Sequence, residues 1–232
     1  MPLDATSIPT AITAIGALGT ASFGLVDATK AFWGGISRCG IRNIRNAITP
    51  LFDPADIADK KSSNALSYTG ILANLKANWM NGTALADQKA IAKALLKLRL
   101  NANNAAKYAA ATGVDGVALA TIAGQINQGA ALTTPQGDVF GRFDLALTAL
   151  LDEGYQHADQ RYRNSAKILA GGFAIGIAIY GGWCLSPSDY FFTQKMWTAA
   201  IVGALATPLA PIAKDLTSAL AAGVDVMQKM KK

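Results

Sequence analysis

Residues 168–185 and 196–213 are two uncharged apolar runs, each about the length a helix needs to cross roughly 30 Å of hydrocarbon. A third run without an ionisable side chain covers 8–26. Stretches of this length point to lipid rather than to an aqueous core. The expected fold class is therefore all-α: an integral membrane protein with three transmembrane helices and a small helical cytoplasmic domain. The composition agrees, because 51% of residues are hydrophobic and 22 are glycine. Small residues let helices pack closely in lipid.

The segments follow in order. A first transmembrane helix is expected over 8–35, a basic interfacial helix over 36–49 and the cytoplasmic helical domain over 50–139. A long helix over 140–185 runs on into the second span. A third transmembrane helix covers 196–213, and a basic cytoplasmic helix covers 214–232.

Charge sets the orientation. Lys30, Arg38, Arg42, Arg45, Arg161, Arg163, Lys167, Lys214, Lys229, Lys231 and Lys232 all fall on one side of three alternating spans. Only Lys195 falls on the other, in the short loop 186–195. Cations close to the spans stay on the cytoplasmic side, so the N-terminus is expected outside and the main domain inside, in a bacterial inner membrane. The first run follows Met1-Pro2-Leu3-Asp4, which lacks the basic start of a cleaved signal peptide, so it is expected to be retained. Tyr180, Trp183, Tyr190, Phe191, Phe192 and Trp197 crowd the outer loop, and Trp33 follows the first span. Amphipathic rings of this kind favour the headgroup region.

Small side chains recur at helical spacing inside the spans. Thr13, Gly16, Thr20 and Gly24 share a stripe of the first, Gly172 and Gly176 form a G-x-x-x-G step in the second, and Gly203 and Thr207 lie on one side of the third. These are the candidates for helix packing or for lining a pore. No span carries an Asp, Glu, Lys, Arg or His, which argues against a proton-coupled transporter. Pro208 and Pro211 are expected to bend or end the third span.

Just after the first span, Ile41, Ile44 and Ile48 share one helical face while Arg38, Arg42 and Arg45 share another. That pattern suits a helix lying among anionic headgroups, with each arginine as a lipid contact. The competing reading packs the isoleucines on the domain and leaves the arginines solvated. Further along, Pro135-Gln136-Gly137 reads as a loop. Asp53, Asp56 and Asp59 read as helix-capping acids, not as a calcium loop. Lys89, Lys93 and Lys97 form a stripe opposite Ile91, Leu95 and Leu98, expected as a solvated face over a packed one, although Leu96 and Leu100 on the lysine side hint at partial cover. Phe143, Leu147, Leu150, Leu151, Ala158 and Tyr162 make the apolar stripe of the long helix, which only Gly154 interrupts before the second span. Residues 140–185 would then form one rod of roughly 70 Å, with a break at Gly154 as the competing reading.

Catalytic constellations are missing from the sequence. His157 is the only histidine, so no histidine metal cluster forms within one chain, and no phosphate loop, dinucleotide fingerprint or H-E-x-x-H occurs. Cys39 and Cys184 fall on opposite sides of the bilayer, out of disulfide reach. Asn81-Gly82-Thr83 matches a glycosylation sequon, on the wrong side for modification. The basic residues gather at membrane flanks, so nucleic acid is not an expected partner. No enzyme activity, metal or cofactor is expected.

Two classes of function remain. The first is a non-enzymatic membrane subunit that self-associates as a homo-oligomer or joins other membrane subunits. The second is an oligomeric ion channel or pore-forming protein that uses the 168–213 hairpin and the Thr-bearing face of the first span.

Overall fold

The computed structural model describes residues 7–32, 34–62, 64–188 and 190–230, with side chains given from Thr10 to Ile212. Met1, Pro2, Leu3, Asp4, Trp33, Lys231 and Lys232, singled out above, lie outside the described residues, as do the side chains of Lys214 and Lys229. Every regular element among the described residues is helical: α1 (Ser7–Ala28), α2 (Arg38–Ile48), α3 (Pro54–Ala58), α4 (Tyr68–Met80), α5 (Leu85–Arg99), α6 (Ala105–Thr112), α7 (Gly116–Asn127), α8 (Thr134–Leu185) and α9 (Gln194–Met230). The chain divides into two compact units. One holds α1, the last part of α8 and α9; the other spans Ser37–Tyr162.

The Ser37–Tyr162 unit is a conventional helical core. Ile44, Ile48, Leu51, Ile71, Leu75, Leu96, Tyr108, Leu119, Phe143 and Leu147 are all fully buried in it. Side-chain caps start two of its helices: the Ser67 hydroxyl accepts from Gly70 N–H, and the Asp115 carboxylate accepts from Ala118 N–H. Asp53, Asp56 and Asp59 do other work. Asp53 sits at the N-cap of α3 without a side-chain cap bond and lies 3.4 Å from Lys107, Asp56 pairs with Arg99, and Asp59 accepts from Lys61 N–H.

Two local expectations are corrected here. Residues 135–137 form the first turn of α8, not a loop. Thr133 N–H donates to the Gln136 side chain at 2.9 Å, and Gly137 N–H donates to the Thr133 carbonyl. This is half of a T-x-x-Q capping box, with Pro135 placed in the first turn, where no intrahelical donor is lost. On α5, Leu98 is 70% exposed, while Ala92 and Leu96 are fully buried. The inward line therefore runs between the two stripes: Ile91 and Leu95 pack partly buried against the core on one side of it, and on the other the half-buried Lys97 lies over the Phe140 ring, 4.9 Å from its centre.

The apolar stripe expected on α8 is the buried one: Phe143, Leu147, Leu151 and Ala158 lie in the core, joined by Tyr155. The helix passes Gly154 without a break. That glycine has a contact to serve, since a Cβ there would collide with the Cβ of Ala47 on α2. Gly40 works the same way, backed by the Trp79 ring, whose indole N–H donates to the Ser37 carbonyl at 2.6 Å.

In the other unit, α1 and α9 pack along one another. The α1 helix is followed by a 3-10 turn, Thr29–Ala31, and by Gly34 and Gly35, both at positive φ, a region glycine enters without strain. Helix α9 continues through Pro208 and Pro211 as one element. Three helices are long and apolar enough to cross a membrane, and only 17%, 11% and 17% of their most apolar windows is buried.

Candidate functional site

The unit built from α1, α8 and α9 closes through small residues, but on α1 it uses a different face from the stripe Thr13, Gly16, Thr20 and Gly24. Gly19, Ser22 and Val26 are the buried positions of α1 among the described residues. A Cβ on Gly19 would meet the backbone of Ala206 and, at 2.6 Å, the Cβ of Ala210. The Ser22 hydroxyl bonds to the Leu18 carbonyl at 2.8 Å, which satisfies it within its own helix. Helix α9 turns a second face to α8, where a Cβ on Gly203 would lie 2.6 Å from the Ile175 Cα.

The expected packing residues thus fall into two groups. Gly203 and Thr207 are buried within the unit. Thr13, Thr20, Gly24, Gly172 and Gly176 are exposed, and Gly16 is partly so. Gly24, Gly172 and Gly176 have open space where a side chain would stand. The Thr20 hydroxyl donates to the Gly16 carbonyl at 2.9 Å. The structure therefore spends one set of small residues and leaves another on the surface.

An apolar cleft of about 720 Å³ opens in the same unit, between Ala14 and Leu18 of α1, Ile177 and Gly181 of α8, and Lys195 and Val202 of α9. The adjoining loop is aromatic. Trp183 contacts Tyr180 and Phe191, Phe191 contacts Tyr190, and Tyr190 is buried against Gly182.

In the Ser37–Tyr162 unit the lysines of α5 are paired with acids, while Lys60, Lys61, Lys76, Arg142 and Arg161 are exposed without an ion pair among the described residues. Lys93 and Lys97 both hydrogen-bond the Asp144 carboxylate of α8, and Lys89 lies 2.7 Å from Asp152 one face along. Burial pushes the Asp144 carboxyl up, but the hydrogen bonds and charges of Lys93 and Lys97 outweigh it and hold the group below its ordinary value. Arg99 pairs with Asp56 and lies over the Phe52 ring, 4.3 Å from its centre. By contrast, Arg38, Arg42 and Arg45 are exposed, and no ion pair among the described residues engages them. The apolar side of α2 is taken up by the core, with Ile44 and Ile48 fully buried and Ile41 packed against them. What α2 presents outward is its arginine row.

A polar hollow of about 420 Å³ beside Arg99 is lined partly by Asn101, Asn104 and Asn127. Their amides are spent on the chain itself: Asn104 donates to the Arg99 carbonyl, Asn127 to the Leu100 carbonyl, and Asn101 accepts from Asn103 N–H. The Arg99 Nη1 of the same lining is buried without a hydrogen-bond partner among the described residues. His157 is exposed, 3.8 Å from Glu153, and Cys39 and Cys184 are free thiols. Among the described residues no group of three metal-ligating side chains comes together.

Comparison with known proteins returned no match. No protein-family profile, curated protein or solved structure resembles this chain closely enough to register.

Proposed function

We propose that this chain is a non-enzymatic integral membrane subunit that self-associates, or joins other membrane subunits, through the small-residue faces its own bundle leaves open. The observation that carries the reading is the exposure of the three long apolar helices, whose most apolar windows are buried to no more than 17%. In water such surface would drive aggregation; in hydrocarbon it is the expected outer face of a bundle. The open positions at Gly24, Gly172 and Gly176 then offer close approach to a further helix.

The N-terminus lies outside and the Ser37–Tyr162 unit lies in the cytoplasm of a bacterial cell, with the inner membrane as the resident bilayer. The place of the α2 arginines in the sequence supports this side of the reading. Lysines of α5 are matched by acids within the unit, whereas Arg38, Arg42 and Arg45 have no such partner and stand directly after the first span in sequence. Anionic headgroups would match them at about 1 kcal/mol per cation.

Single cysteines placed at Pro50 and at Ser188 in a chain stripped of Cys39 and Cys184 test the topology. An impermeant thiol reagent should label the Ser188 position in intact cells and the Pro50 position only after lysis. Equal labelling of both, or a monodisperse protein purified in plain buffer, overturns the reading. Mass measurement of the detergent-extracted complex then tests assembly. Steady ion conductance of the purified protein in planar bilayers, lost in Thr13→Leu or Thr20→Leu, would replace the subunit reading with the pore reading.

A further inference from the structure

We propose that the cleft between α1, α8 and α9 is a binding site for one anionic phospholipid, with an acyl chain between the helices and the headgroup phosphate on Lys195. The inference rests on the membrane reading and adds a discrete ligand to it. The cleft measures about 720 Å³, within the roughly 300–1,000 Å³ typical of small-molecule sites. Its walls are aliphatic, from Ala14 and Leu18 on one side to Ile177 and Val202 on the other. Gly181 leaves open the space its side chain would otherwise fill.

Polar groups meet the cleft through the first residues of α9. The Thr198 hydroxyl is committed to the Gln194 carbonyl at 2.9 Å. Lys195 is exposed, has no ion pair among the described residues and is the one charged residue of the cleft lining, beside the polar Gln194. An apolar slot with a single lysine among its lining residues matches a molecule with a hydrocarbon tail and a net-anionic head. A neutral apolar ligand would leave the ammonium unmatched, and a second protein helix would need an acidic residue at that depth. Selection comes from the headgroup. A lipid tail gains little by leaving other lipid tails, whereas one exposed ion pair of about 1 kcal/mol favours a net-anionic headgroup over a zwitterionic one by roughly fivefold.

The test uses the full chain in detergent micelles, titrated with phosphatidylglycerol or phosphatidylcholine of identical acyl chains and read by native mass spectrometry. The wild type should retain phosphatidylglycerol about fivefold better. Lys195→Gln should bring the two lipids level without loss of the folded bundle, and Gly181→Leu, which places a side chain in open space, should lower retention of both. Equal retention of the two lipids by the wild type, or an unchanged preference in Lys195→Gln, overturns the assignment. A change of oligomer mass in Gly181→Leu with lipid retention intact also overturns it, by making the cleft a protein contact. Failure of the membrane reading itself would show separately, as extraction of the wild type by alkaline carbonate.

Discussion

Gly154 of α8 and Ala47 of α2 meet with no room for a further carbon between them. The usual arithmetic of helix propensity is therefore reversed at this position. Replacing an interior helical glycine by alanine ordinarily gains about 1 kcal/mol. Here the added methyl must push α2 away from α8, and overpacking of that kind costs about 1–3 kcal/mol. Gly154→Ala should lower the unfolding midpoint of the purified protein in denaturant. Adding Ala47→Gly should restore part of the loss, because it removes the atom that collides.

Asp144 anchors α5 to α8 through two lysines, so its loss should exceed the loss of either cation. Asp144→Asn should cost about 1–2 kcal/mol near neutral pH, while Lys93→Ala leaves Lys97 in place and costs less. The folded-state pKa is lowered, so the contribution is present above the ordinary carboxylate value of about 4 and fades as pH falls through the folded value. Stability measured from pH 7 downward should therefore drop on the acid side in the wild type and change less in Asp144→Asn. Parallel acid curves for the two proteins would show that the pair does not govern this limb.

Tyr155 is buried at 1% exposure, and its hydroxyl has no hydrogen-bond partner among the described residues. Burial pushes its pKa up, because the phenolate would lose its hydration with no compensating group nearby. A hydroxyl buried without a partner costs about 1–3 kcal/mol, whereas the ring packs well whether or not it carries oxygen. Tyr155→Phe should accordingly leave stability unchanged or raise it by about 1 kcal/mol, read as a higher melting temperature. A drop of similar size would mean that the hydroxyl does have a partner.

Helix class, the three apolar helices and the buried stripe of α8 were legible because each depends on hydrophobic period and length alone. Residues Phe143, Leu147, Leu151 and Ala158 repeat at the spacing that fixes one face, whatever packs against it. The start of α8 was legible in principle too: the Thr133-Thr134-Pro135-Gln136 signature was there, but Pro and Gly in the same stretch read more strongly as a loop. The inward side of α5 was legible only in part, from Leu96 and Leu100. Lys89, Lys93 and Lys97 look solvated until Asp144 and Asp152 arrive from a helix some fifty residues away, and no local pattern announces that pairing. The same limit applies to α1. Its small residues occur on more than one face, and the positions of Ala206 and Ala210 select the one carrying Gly19.

The two kinds of small residue in the apolar helices should separate in their response to bulk. Gly203 lies against the Ile175 backbone, so Gly203→Leu must part α8 from α9. Overpacking at a helix crossing costs about 1–3 kcal/mol, and the detergent-purified protein should melt earlier and yield less. Gly172 and Gly176 have nothing within reach of an added Cβ, so Gly172→Leu and Gly176→Leu leave the bundle's own contacts intact. If these positions form the seam between subunits, both variants should keep the wild-type melting temperature and yet shift to a smaller mass in the detergent-extracted complex. Loss of assembly without loss of fold is the signature of an interface, because it removes a contact made only between chains. An unchanged mass in both variants would move the seam to the face of α1 that carries Gly24, where Gly24→Leu offers the matching measurement.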